Sequence, residues 1–273
     1  MTTQRGYLLA DATDEEHRLH IQSAMLDPLT ARVFASAGLA PGMRVLDLGS
    51  GAGHVAMLAS EYVGSEGCVI AVDNDPRAIA MARRWAEAEG RANIDFRESD
   101  VTSLAGIDGE FDAVVGRAIL MYLPEPEVVL RAALTRLAPG GLVCFHEADF
   151  ASSWAQPETP LWRDVREWVR GVLAAGGVDD RMGVALFSLY RAVGLPDPQL
   201  RIEAAGGSGE QSPVPAWTNN VAALAPAMEK LGIASADEIS LLDLEQRLDA
   251  ELDAHDGFAL CPLMIGAWTR VPE

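Results

Sequence analysis

Residues Val45-Leu46-Asp47-Leu48-Gly49-Ser50-Gly51-Ala52-Gly53 carry an apolar run straight into three glycines spaced by single residues. Glycine lacks a Cβ, so the backbone N–H groups of such a turn approach a ligand closely, and positive φ costs little. A helix that starts there directs its N-terminal N–H groups at the same ligand. A glycine turn after a strand is by itself common, and a dinucleotide fold uses one too. Asp47, two residues before the first glycine, would repel a pyrophosphate and suits an ammonium group. The spacing is also G-x-G-x-G, where nicotinamide enzymes usually show G-x-G-x-x-G. An NAD(P)-dependent oxidoreductase therefore stands as an alternative to a ligand bearing an amino group.

Further polar residues end the apolar runs that follow. Asp73 closes Cys68–Asp73, and a carboxylate there suits the paired hydroxyls of a ribose. Glu98-Ser99-Asp100-Val101 follows a third run; Asp100 can accept from an adenine exocyclic amine while a backbone N–H beside it meets a ring nitrogen. Gly116-Arg117 and His146-Glu147 end the fourth and fifth runs. His146 has the ordinary pKa of a general base, Glu147 is its neighbour on the opposite strand face, and Tyr122 lies in the loop after the fourth run. Each has a structural alternative: a satisfied core imidazole, a carboxylate paired with arginine, a phenol that only packs.

The elements that hold these residues alternate. Met43–Leu48, Cys68–Asp73, Asn93–Glu98, Phe111–Gly116 and Leu142–Glu147 read as strands; helices are expected from Gly53 to about Tyr62, from Pro76 to Gly90 and over Pro126–Leu137. Such alternation implies an α/β fold with a doubly wound, mostly parallel sheet, whose strand ends share one ligand-binding edge. A leader, residues 1–42, carries an expected helix from Asp14 to about Leu26. Residues 43–150 form the expected core. Residues 151–273 are expected to form a helical cap and the last strands, Leu200–Ala204 and Leu263–Thr269, with helices at Pro160–Ala175 and Met182–Val193 and one from Ser235 to about Ala254. Gly206–Pro215 reads as a mobile loop.

The ordered series VLDLGSGAG, AVDNDP, ESDV, FDAVVGRAILMYLPEP and LAPGGLVCFHEADF resembles the class I, Rossmann-like S-adenosylmethionine-dependent methyltransferase family over residues 40–150. The leader Tyr7…Glu15-x-x-Arg18-Leu19-x-x-Gln22 is similar to that of the small-molecule branch. The resemblance implies a seven-stranded sheet with a reversed last strand. It implies cofactor contacts at Gly49, Ser50, Gly51, Asp73, Asn74, Asp100, Val101 and Arg117, with Gly53 and Gly116 on the same edge. Asp47 would hold the loop or the amino group of the methionine moiety. Ser50 stands where many relatives have cysteine, a position where the backbone does the binding. The implied function is methyl transfer from S-adenosylmethionine to a small-molecule acceptor. A protein that binds the cofactor without methylating is the alternative from another class. The acceptor is expected to meet Tyr7, Gln22, Trp154, Trp162, Trp168 and Arg181, although the spacing of the tryptophans also fits a packed core.

Composition narrows the partners. The formal net charge is −19, and a chain so acidic repels a phosphate backbone, so nucleic acid is not expected as substrate. Cys68, Cys144 and Cys261 stand far apart and form neither a disulfide framework nor a metal cluster with histidine. No metal is expected. The absence of a long apolar run or a signal-peptide pattern points to a cytoplasmic protein with no membrane span; a homo-oligomer is compatible with the sequence.

Overall fold

The computed structural model describes residues 15–273. Contacts divide the chain into two units, each discontinuous in sequence. One gathers residues 27–148, 182–202 and 264–273; the other gathers 149–181, 203–263 and the residues up to Leu26.

The first unit is built on strands β1 (Arg44–Leu48), β2 (Cys68–Asp73), β3 (Ile94–Glu98), β4 (Phe111–Arg117), β5 (Leu137–Asp149), β7 (Gln199–Glu203) and β10 (Leu263–Arg270). They form one seven-stranded sheet in the order β3-β2-β1-β4-β5-β10-β7. Strands β1 to β5 pair in parallel, and the mostly parallel sheet has one reversed strand, as expected. Val45, Val69, Ala71, Val115 and Cys144 face a cluster with helices α1 (Glu15–Ala37), α2 (His54–Val63) and α3 (Pro76–Ala88). The alternate residues Leu46, Val72, Val114 and Phe145 are just as buried, so both faces of the sheet are covered. That double burial explains why these strands read as continuous apolar runs. Each such side chain contributes on the order of 1.5–3 kcal/mol. Helix α4 (Pro126–Leu134) and helix α6 (Met182–Ala192) complete the unit, with the Tyr190 hydroxyl donating to the Ala267 carbonyl at 2.8 Å.

Two helix starts place the ligand edge. Asp75 caps α3 by accepting from the Arg77 N–H, with Pro76 at the first helical position. Helix α2 starts directly after Gly53.

The second unit carries a small antiparallel sheet, β6 (Ala155–Gln156), β9 (Phe258–Leu260) and β8 (Gly206–Gly207), in that order. Helices α5 (Pro160–Ala175), α7 (Val214–Leu231), α8 (Ala236–Ile239) and α9 (Leu244–Asp253) surround a core containing Trp154, Trp162 and Trp217.

The structure differs from the sequence reading in four places. Helix α1 continues through Pro28 to Ala37, because Leu29, Val33, Phe34 and Ala37 form a buried stripe that outweighs the lost N–H bond. Helix α7 occupies a region where the sequence reading has no helix, and the segment read as a mobile loop holds β8, a 3-10 turn and the start of that helix. The helix expected from Ser235 has its capping box but breaks at Ser240, where φ is 45°. Strand β5 starts at Leu137, so Pro139-Gly140-Gly141 lie inside it, beside a register shift in the β4 pairing. Among the described residues, no helix is long and apolar enough to cross a membrane.

Candidate cofactor site

The glycine turn sits at the C-terminal ends of β1 and β2 and is braced by Asp73. The Gly51 N–H donates to Asp73 Oδ2 at 2.8 Å, and the Asp75 N–H donates to Oδ1 at 2.9 Å. The Ser50 N–H donates to the Val72 carbonyl at 2.9 Å. The glycines do different work. Gly51 has φ 51° and nothing within 4 Å of where a Cβ would stand, so it faces open space. At Gly53, φ 87°, a Cβ would meet the Phe96 ring and Ala82 at 2.9 Å; this glycine lets α2 begin against α3 and β3. Gly49 and Gly116 both leave room for the Ile119 side chain.

Asp47 is 1% exposed, and both its carboxylate oxygens are buried with no hydrogen-bond partner among the described residues; Ser50 Oγ is buried in the same state. Burial pushes the Asp47 carboxyl well above the usual carboxylate range, Arg117 pulls it down, and Asp73 raises it further. The Ala56 N–H, in the first turn of α2, lowers it without completing a hydrogen bond. Leaving a buried polar group unpaired costs about 1–3 kcal/mol, more for a charge, and groups left so in native structures call for a catalytic role, a ligand or a water. Asn74 is exposed beside Asp73. Asp100 is exposed, and its Oδ1 accepts from the Thr102 N–H at 2.8 Å and hydroxyl at 2.7 Å; Val101 beside it is buried. The edge therefore presents open backbone at Gly51, a carboxylate at Asp73 and a carboxylate at Asp100. This donor set fits a nucleoside joined to an amino acid.

Arg117 has other partners than those expected. Its Nη1 donates to Asp27 Oδ1 at 2.7 Å and to Thr30 Oγ1 at 2.8 Å, tying the end of β4 to α1. Asp27 is raised by burial, against the pull of Arg117. Thr30 Oγ1 also lies 3.0 Å from His146 Nδ1. His146 is 1% exposed, and burial, with the charges of Arg117 and Arg32, holds its pKa down to about 3. So weak a base has little driving force to take a proton from an acceptor near neutral pH. Glu147 is fully buried, and its carboxylate accepts from the Ile119 and Leu120 N–H groups at 3.0 Å each and from Met121 at 3.4 Å. It organises the 3-10 turn Leu120–Tyr122, which seats Ile119 against Gly49 and Gly116. Tyr122 ends that turn and is half-buried. Sequence reasoning missed Asp27 and Thr30; their signal is a spacing of three on one helical face, hidden because the expected helix stops before them.

Of the residues expected to meet an acceptor, Tyr7 lies outside the described residues, and Gln22 is half-buried on α1. Trp154 and Trp162 are both 1% exposed. Trp162 Nε1 donates to the Leu248 carbonyl at 3.3 Å. Trp154 stacks on Trp217, with ring centroids 3.6 Å apart, and its own Nε1–H is buried without an acceptor among the described residues. Trp168 packs on the rim of the same cluster. The structure thus places these tryptophans in a core: Trp162 and Trp168 on α5 and Trp154 in the segment before it. Arg181 is exposed, with Nε 3.8 Å from Asp149 Oδ2. All three cysteines are free thiols.

Comparison with known proteins places the chain in a family. Residues 39–174 match the model of a family described as a methyltransferase domain. An arsenite methyltransferase of Aquipseudomonas alcaligenes is 35% identical over 130 residues, 44% of this chain and 38% of that enzyme. A ubiquinone biosynthesis O-methyltransferase of Methylocella silvestris is 32% identical over 186 residues, 58% of this chain and 71% of that enzyme. The chain belongs to the class I S-adenosylmethionine-dependent methyltransferase family. Its fold is also that of a Bacillus halodurans C-125 protein assigned as a methyltransferase, with a TM-score of 0.60 and 17% identity over 89% of this chain and 98% of that one. The match to the arsenite enzyme spans well under half of that protein's length, 38%. S-adenosylmethionine is the cofactor of the family.

Proposed function

We propose that this methyltransferase transfers the methyl group of S-adenosylmethionine to a small molecule. The observation that carries the reading is the glycine turn braced by Asp73 beside the buried, unpartnered carboxyl of Asp47. When bound, the cofactor supplies an electrophilic methyl on a sulfonium, which is displaced in line. In the proposed arrangement, the glycines of Gly49–Gly51 let the cofactor lie close against the turn, Asp73 accepts from the ribose, Asp100 and Val101 take the adenine edge, and Asp47 answers the amino group. Glu147 holds the turn carrying Ile119 and Tyr122, and the Arg117–Asp27–Thr30 network fixes α1 to the strand ends. His146 and Glu147 are not assigned as the base, since both are buried and committed to other contacts; alignment and exclusion of water supply the rate, with Tyr122 the remaining candidate at the end of the turn. The named relatives act on chemically unlike small molecules, which supports the acceptor class and no single acceptor. The net charge of −19 argues against nucleic acid.

The test is a panel of small nucleophiles incubated with the protein and methyl-labelled S-adenosylmethionine. Acceptor-dependent S-adenosylhomocysteine and a labelled product are expected. Cofactor that binds tightly and stays intact with every acceptor would instead support the non-methylating alternative.

A further inference from the structure

The Asp47 carboxyl has a use beyond holding a turn. Its two oxygens lie out of contact with solvent and complete no hydrogen bond among the described residues; the Ala56 N–H at the start of α2 lowers its pKa only in part against burial. The charged groups that face it are Arg117, from the end of β4, and Asp73, from the end of β2. Arg117 is the cation of the two; it pulls the Asp47 pKa down, but its Nη1 is hydrogen-bonded to Asp27 and Thr30, and burial outweighs it. Asp73 is a second negative charge at the same turn, and it is locked there by the Gly51 and Asp75 N–H groups. An ionised Asp47 would thus be a buried anion with a like charge nearby and no contacting counter-ion, the arrangement that favours the neutral acid. The raised affinity of this carboxyl for its proton agrees with that geometry. An ammonium brought to the glycine turn reverses the balance, because opposite charges interact strongly where water is excluded.

We propose that Asp47 is a neutral carboxylic acid in the free protein and ionises when an ammonium-bearing ligand seats at the glycine turn, so that cofactor binding releases a proton. The O–H bond of the carboxyl breaks, the electron pair stays on the oxygen, and the proton passes to buffer. This rests on the cofactor reading above and adds to it a proton linkage. Since the bound form holds fewer protons, affinity rises with pH until Asp47 is ionised in the free protein too.

The experiment is calorimetric titration of the full chain with S-adenosylhomocysteine between pH 5.5 and 7, in buffers of differing ionisation enthalpy. The ligand ammonium stays charged throughout that range. The expected result is a release of about one-half to one proton per ligand at the pH of greatest effect, with affinity rising several-fold per pH unit there. In Asp47→Asn the release should vanish while S-adenosylhomocysteine still binds at higher concentration. Binding with less than about 0.2 proton released at every pH, or an unchanged release in the variant, overturns the proposal. Should the variant not fold, difference infrared spectra of the native chain decide: the protonated-carboxyl C=O band should diminish on binding, and an unchanged band overturns the linkage. A native chain that binds no S-adenosylhomocysteine overturns the cofactor reading itself, an outcome distinct from binding without proton release.

Discussion

Replacing His146 tests the network that joins α1 to the strand ends. In the fold its pKa is about 3, against an ordinary value of 6.5, chiefly because of burial. The folded-state value is depressed, so as pH falls the unfolded chain takes up a proton first and stability is lost from about pH 6.5 downward. Above that pH the group contributes no pH dependence. Between the two pKa values the loss grows with each step of pH, to about 1–2 kcal/mol at pH 5.5 and about 4 kcal/mol near pH 3. His146→Gln removes this titration. Urea unfolding of both proteins at pH 7.5 and 5.5 should show the variant losing about 1–2 kcal/mol less than the native chain between the two values. In the same variant, the pH profile of kcat/KM should keep its shape, since so deeply buried and weakly basic an imidazole is not the proton acceptor of the reaction. Equal pH dependence of stability in the two proteins would refute the buried-imidazole reading. A limb near pH 6–7 in the rate profile that disappears in the variant would restore His146 as the base.

Asp73→Ala removes the acceptor for the Gly51 and Asp75 N–H groups; its affinity for S-adenosylhomocysteine should fall by roughly 1–3 kcal/mol, about 5- to 150-fold, measured by calorimetry. Asp47→Asn should melt above the native chain at pH 8 without ligand: a carboxyl raised in the fold costs stability as pH rises from its ordinary range toward its folded value, and scanning calorimetry with no gain there would contradict its burial as an acid. Trp162→Ala should cost about 3–5 kcal/mol in denaturant unfolding, because its ring is fully buried among α5, α7 and α9; a near-neutral result would return Trp162 to the acceptor-facing role that its sequence position suggests.

The central strands were legible in the sequence because, buried on both faces, they are largely apolar, and the helix after β2 opens on a capping aspartate at Asp75-Pro76; β3 was legible only from its place in the alternation. The glycine turn was legible for a local reason: Gly51 and Gly53 need positive φ or room that other residues lack. What escaped was set by distant partners. Helices α1 and α7 run through Pro28 and Pro226, since Leu29–Phe34 and Trp217–Met228 bury enough apolar surface to offset a missing N–H bond. The partners of Arg117 and Glu147 are 87 to 90 and 26 to 28 residues away. Their residue types suggested chemistry; only the fold shows that one holds Asp27 and the other holds three backbone N–H groups. The tryptophans illustrate the same limit, because an aromatic stripe at helical spacing serves a core or a ligand wall equally well in sequence.

The most direct test is the crystal structure of the chain with S-adenosylhomocysteine. The ligand is expected at the Gly49–Gly53 turn, with its ribose hydroxyls on Asp73, its adenine at Asp100 and Val101, and its amino group on the side of Asp47. A ligand bound elsewhere, or its ribose turned away from Asp73, would contradict the assignment of this edge as the cofactor site.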